Sequence, residues 1–186
     1  MNWNEYKELS EKTLSTEFHV GLKTENLLHA VMGILTELEE LIINHDEEYD
    51  AANVLEEVGD ITWYLAIIGR EYNIDWDPNE PSQFVTTSKS DSIMNMIKSG
   101  LRMLDVLKKK IYYNREIDDK YIIDETKLLM RYLVFYMGDT NTTFNSCFSV
   151  NISKLKARYG DKFTSDRAIN RDLTTERNIL ESGEDT

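Results

Sequence analysis

Apolar residues recur at steps of three and four along nearly the whole chain, the period of helices that bury one face. Interruptions are few, with two prolines, Pro78 and Pro81, and eight glycines. The pattern predicts an all-α fold, a helical bundle of about five main helices in one domain spanning 1–186. Trp3, Tyr6 and Leu9 share one side of a short helix over 2–16. A loop over 18–23 leads to Thr24, an N-cap candidate for a helix over 25–44. Leu27, Val31, Ile34, Leu38 and Leu41 form its buried stripe. Asp50 caps a second helix ending near Tyr72, with Val54, Leu55, Val58, Ile61, Leu65 and Ile68 on its core face. The short polar link between the two folds them into an antiparallel hairpin over 24–72.

The pattern breaks over 73–90, NIDWDPNEPSQFVTTSKS, which holds both prolines and reads as a linker. Further helices follow over 91–113, 119–137 and 142–159, with Gly138 closing the middle one. On the last of these Phe144, Phe148, Ile152 and Leu155 are expected to point inward. The C-terminal segment mixes turn residues with a short helix, and its final five or so residues are expected to be loose. A shift of 68 residues sets Tyr132-Leu133 on Tyr64-Leu65, Glu125 on Glu57 and Ile122-Ile123 on Val54-Leu55. Leu128 then falls on Asp60, and no second counterpart of Glu37 and Glu40 survives. The alignment fits a degenerate duplication over 91–140, or two amphipathic hairpins of similar length.

Two carboxylate pairs, Glu37/Glu40 and Glu57/Asp60, stand beside the core stripes. Each has i,i+3 spacing, so both members project from one helix face. Like charges so placed destabilise a bare helix, and a divalent cation shared by both pairs relieves the repulsion. A single Glu-x-x-Glu is common on solvated acidic helices; two pairs flanking one hairpin read either as such solvated charges or as a metal site. Each pair also stands near an interior glycine, Gly33 or Gly59. Gly33 costs about 1 kcal/mol of helix propensity relative to alanine and marks a place where something approaches the backbone closely. His29 lies two turns upstream of Glu37 on nearly the same line, and Tyr64 one turn beyond Asp60. Both are read either as packed residues or as contacts to a base or sugar.

Composition narrows the function classes. The chain is 41% apolar and 30% charged, as in globular proteins. Its 21 Lys and Arg against 34 Asp and Glu give a net charge of −13, which argues against nucleic-acid polymers as partners. Small phosphate ligands remain open, because a metal inverts the local field. The single cysteine, Cys147, makes no internal disulfide and suits a reducing compartment. With no secretory h-region and no apolar run of about 18 residues, a cytoplasmic protein without a membrane span is expected.

Carboxylates without cysteine support suit Mg2+, or Mn2+, better than zinc. A di-iron carboxylate bundle needs Glu-x-x-His on two helices, and none of His19, His29 or His45 has a glutamate three residues before it. The G-x-S-x-G elbow, the P-loop and G-x-G-x-x-G are all lacking. Near the C-terminus Asn151, Lys154 and Arg158 fall at i, i+3 and i+7. An amide and two cations on one face suit a polyphosphate, or simply form a basic last turn that complements the helix dipole.

E-x-x-E followed after 16 residues by E-x-x-D, within EEVGDITWYL, resembles the MazG-like family of all-α nucleoside triphosphate pyrophosphohydrolases. HAVMGILTELEEL is similar to the His-Ala-x-x-Gly-x-x-Thr-Glu form of phage and bacterial members. NISKLKARYGDKF with RAINRDLTTER is similar to the Asn-x-x-Lys-Leu-x-x-Arg-Tyr ending of that group. The resemblance implies Mg-dependent hydrolysis of a nucleoside triphosphate to the monophosphate and pyrophosphate, in a homo-oligomer, dimer or tetramer. It implies Glu37, Glu40, Glu57 and Asp60 as metal ligands, and Asn151, Lys154, Arg158 and Tyr159 on the phosphate and sugar side. It also sets Tyr64 near the base and brings His29 to the substrate. Thr36 departs from the family pattern, where many relatives carry a further glutamate, and leaves the general base open between Glu37 and Glu40. Residues 73–149 match less well and resemble the degenerate half of dimeric dUTPases, which favours the duplication. A closer alternative keeps the enzyme and narrows its substrate to dUTP or dCTP. From another class, the high negative charge suits a non-catalytic acidic interaction protein that docks on a basic partner.

Overall fold

Each expected main helix has a physical start and stop in the computed structural model, which describes residues 17–46, 50–78, 88–138, 142–160 and 163–183, together with Trp3, Lys7, Leu9, Ser15 and Thr140. Helices α1 (Leu22–Asp46), α2 (Ala51–Tyr72), α3 (Lys89–Tyr113), α4 (Asp119–Met137) and α5 (Phe144–Tyr159) are the five long ones. Two short helices, α6 (Ser165–Ile169) and α7 (Leu173–Ser182), follow where one was expected. No strand occurs among the described residues, so the fold is an all-α bundle. The helix expected over 2–16 lies largely outside the described residues, as do 79–87 of the linker and 184–186. No described helix is long and apolar enough to cross a membrane.

Caps explain most boundaries. Asp50 accepts from the amides of Ala52 and Asn53 at 2.9 and 3.4 Å, as its position suggested. Thr24 does not cap α1. The amide of Glu25 already bonds the Gly21 carbonyl at 2.9 Å, so α1 starts three residues earlier, at Leu22, and Thr24 is buried in its first turn. Helix α3 likewise begins ahead of 91, because Ser88 accepts from the Asp91 amide at 3.0 Å. Residues 73–78 are not a bare linker: the Ile74 amide bonds the Gly69 carbonyl, and the Trp76 ring meets Phe144 at 5.3 Å.

The core stripes of α1 and α2 are buried as their spacing predicts. Asn26 meets Glu71, Gly33 meets Tyr64 and Glu37 meets Glu57, so the two helices run antiparallel. Helices α3 and α4 pack on each other as a second pair, in which Arg102 meets Glu125 and Thr126 meets Met103. Burial repeats across the 68-residue shift. Val54, Glu57, Val58, Ile61, Leu65 and Ile68 are buried, and so are Ile122, Glu125, Thr126, Leu129, Leu133 and Tyr136. The buried Glu125 is neutralised by Arg102 at 3.3 Å, whereas Glu57 faces other carboxylates.

Helix α5 corrects one expectation. Its inward line is Phe144, Cys147, Asn151 and Lys154, while Ile152 is 46% exposed. Close packing on α2 sets this rotation. A Cβ at Gly59 would stand 3.0 Å from Cβ of Asn151 and 3.3 Å from the Cys147 carbonyl oxygen. At Gly59 the flank of α5 thus lies directly on the α2 backbone.

Candidate functional site

The acidic faces of α1 and α2 meet across their antiparallel contact. Carboxylate oxygens of Glu37, Glu40 and Glu57 all lie within 4.8 Å of one another, an arrangement able to hold a divalent cation. Glu57 is buried, Glu37 half-buried and Glu40 exposed. Burial pushes the Glu57 carboxyl up to about 10, helped by its hydrogen bond to Glu37 and by the charges of Glu40, Glu37 and Glu56. Burial also raises Glu37, with Asp60 and Glu40 adding to the shift, against the lowering effect of the bond from Glu57. Protonated Glu57 donates to Glu37, and the two behave as one coupled pair.

Asp60 belongs to a different arrangement. Asn151 Nδ2 donates to its Oδ1 at 2.5 Å, and Lys154 Nζ to its Oδ2 at 2.6 Å. Lys154 also bonds Glu56 at 3.0 Å and is fully buried. Burial alone would lower its pKa, but the Asp60 and Glu56 charges raise it. The structure therefore groups three of the four expected ligands and places the fourth one turn on, under Lys154 and Asn151. Both of those residues, expected on the phosphate side, lie against the carboxylates of α2.

Gly33 explains the position of Tyr64. A Cβ there would fall 2.1 Å from Cζ of the Tyr64 ring, so only glycine lets the ring lie on the α1 backbone. His29 meets that ring edge-on at 5.5 Å and Trp63 meets it at 5.0 Å, forming an aromatic corner next to Glu37. Burial, then Glu37 and Asp60, raise the Tyr64 hydroxyl. Thr36 donates to the Gly33 carbonyl at 2.8 Å, and Thr62 to the Gly59 carbonyl at the same distance. Thr36 thus bonds its own helix.

Opposite the carboxylates stands a basic wall. Arg158 bonds the buried Glu176 through Nε at 2.8 Å and Nη2 at 2.6 Å, and its guanidinium lies 5.6 Å from the Tyr159 ring centre. Arg171 binds the same carboxylate and approaches Glu56 at 3.8 Å. Between the walls lies a cleft of about 710 Å³, lined by His29, Glu37, Glu40, Glu57, Asp60 and Tyr64 on one side and by Arg158, Tyr159 and Arg171 on the other.

Glu56 escapes a reading by motif, although its i,i+4 spacing to Asp60 could have found it. Arg171 and Glu176 stand within RAINRDLTTER, but nothing in that stretch shows that Glu176 joins Arg171 to Arg158, which lies across two chain turns. No family model, curated protein or solved structure matches this chain.

Proposed function

We propose that this chain is a Mg-dependent nucleoside triphosphate pyrophosphohydrolase of the MazG-like type. The observation that carries the reading is one cleft in which a cluster of three carboxylates faces two guanidinium groups. That pairing suits a metal-bound polyphosphate and has no use in a bare acidic docking surface. Glu37, Glu40 and Glu57 would hold magnesium, whose oxygen-ligand preference fits this donor set. When bound, the ion neutralises phosphate charge and acidifies water. Water adds to phosphorus as the α–β anhydride bond breaks, releasing nucleoside monophosphate and pyrophosphate. Glu37 or Glu40 accepts the water proton, since Thr36 carries no carboxylate. Lys154 and Asn151 hold Asp60 in place, and Arg158 faces the phosphates. The corner of His29, Trp63 and Tyr64 offers an apolar and aromatic surface for the sugar and base.

A pyrophosphate-release assay with a panel of ribo- and deoxynucleotides, including dUTP and dCTP, tests the reading. Light scattering on the same samples reports the dimer or tetramer. Glu40→Gln and Asp60→Asn should each reduce turnover by about 100-fold or more, with an unchanged helical spectrum. Full activity in both variants would sink the assignment.

A further inference from the structure

Of the residues expected to grip phosphate, Asn151 and Lys154 are committed to Asp60 and Glu56. Arg158, with the exposed Lys156 beside it, is then little for a triphosphate in a cleft that also presents Glu37, Glu40, Glu56, Glu57 and Asp60. The same cleft is lined by Arg171, from the link between α6 and α7.

Glu176 ties these two arginines together. Its side chain is buried, and it accepts Arg158 Nε and Nη2 at 2.8 and 2.6 Å and Arg171 Nε and Nη2 at 3.1 and 2.6 Å. One carboxylate between two guanidinium groups leaves a net positive charge. Each arginine is fixed by its Nε edge, and Nη1 of Arg171 has no hydrogen-bond partner among the described residues.

A plain structural staple would also hold α7 in place, but α7 is already anchored elsewhere. Arg177 reaches Asp50 and Asn53 at the start of α2 at 3.0 Å each, and Leu180 packs with Ala52 of α2 and Val150 of α5. We infer that Glu176 is a positioning residue that presents Arg158 and Arg171 as a paired phosphate grip, and that Arg171 contacts the substrate. The inference rests on the nucleotide reading above. Guanidinium forks match phosphate oxygens two at a time, and preset orientation spares the ordering cost of two long side chains.

The test uses the full chain with magnesium and tripolyphosphate in a calorimeter, beside nucleotide kinetics. Arg171→Ala and Glu176→Gln should each weaken tripolyphosphate binding by about tenfold or more, the scale of one charged hydrogen-bond pair. KM should rise more than kcat falls, a split that loss of mere folding stability would not produce. The double variant should lose less than the product of the single losses, because Glu176 acts through the arginine. Wild-type affinity and KM in Arg171→Ala would overturn the grip, as would a wild type that binds no tripolyphosphate. If nucleotide turnover persists in that case, the hydrolase reading stands without the grip. Tripolyphosphate binding that depends on Arg171, with no nucleotide turned over, keeps the grip and removes the hydrolase.

Discussion

At Gly33 two effects of opposite sign meet. Alanine would gain about 1 kcal/mol of helix propensity. Its Cβ would also stand 2.1 Å from the Tyr64 ring, which His29 and Trp63 hold edge-on. Overpacking of that kind costs about 1–3 kcal/mol, and more when the ring cannot move aside. Gly33→Ala should therefore lose about 1 kcal/mol net, a fall of roughly 2–4 °C in Tm. In a Tyr64→Ala background the same change should raise Tm, since only the propensity gain remains. Equal Tm values for wild type and Gly33→Ala would mean that Tyr64 does not lie on this backbone. Both glycines were legible in the sequence as interior helix positions, Gly33 also as a loss of helix propensity. What approaches them was not, because a ring from α2 and a flank of α5 reach them only through packing.

Helix α5 shows how far periodicity carries at the scale of elements. Its limits, 144–159, follow within two residues from the apolar spacing, and so does its place in an all-α bundle. Its facing does not. A pattern rule turns apolar Ile152 inward and Lys154 outward, and the structure does the reverse. The carboxylates of α2 act together with the close packing at Gly59, since Glu56 and Asp60 need a cation more than Ile152 needs burial. The pairs at 37/40 and 57/60 were readable from spacing within one helix; their partners on α5 and α7 depend on contacts between helices. This makes Lys154→Met a test of the element contact. Removing one partner of a fully buried ion pair costs about 3–5 kcal/mol. Here the loss should lie near the lower end, because Asp60 and Glu56 are half-buried at the cleft and Asp60 keeps its bond from Asn151. Denaturant unfolding should show that loss, and Asp60→Asn added to Lys154→Met should recover part of it. A loss under about 1 kcal/mol would place Lys154 in solvent.

For the whole molecule, the charge of −13 matters less than where protons are held. Burial, then the bond to Glu37, then neighbouring charges push the Glu57 carboxyl up to about 10. A carboxyl raised on folding binds its proton more tightly in the native state than in the unfolded chain. Its contribution to stability is whole below the ordinary value near 4.5 and is lost as pH climbs towards 10. Glu176 has the opposite sign. Burial pushes it up, but the bonds from Arg158 and Arg171 bring it to about 2, so its contribution is present above 4.5 and is lost as pH falls towards 2. Between about pH 7.5 and 9 ordinary carboxylates are already charged and lysines still are, so the slope there belongs chiefly to Glu57, with a smaller share near pH 9 from the Cys147 thiol, which burial pushes up to about 12. In chelator-treated buffer Tm should therefore fall across that range. Magnesium should raise Tm more at the upper end, because metal ligands must be deprotonated and the ion supplies the missing counter-charge. Glu57→Gln should flatten the chelated profile and abolish the magnesium response. Thermal melts at three pH values, with and without magnesium, check all three outcomes. A wild-type profile that is flat in chelator would show Glu57 ionised in the fold, and with it a different balance of charge between α1 and α2.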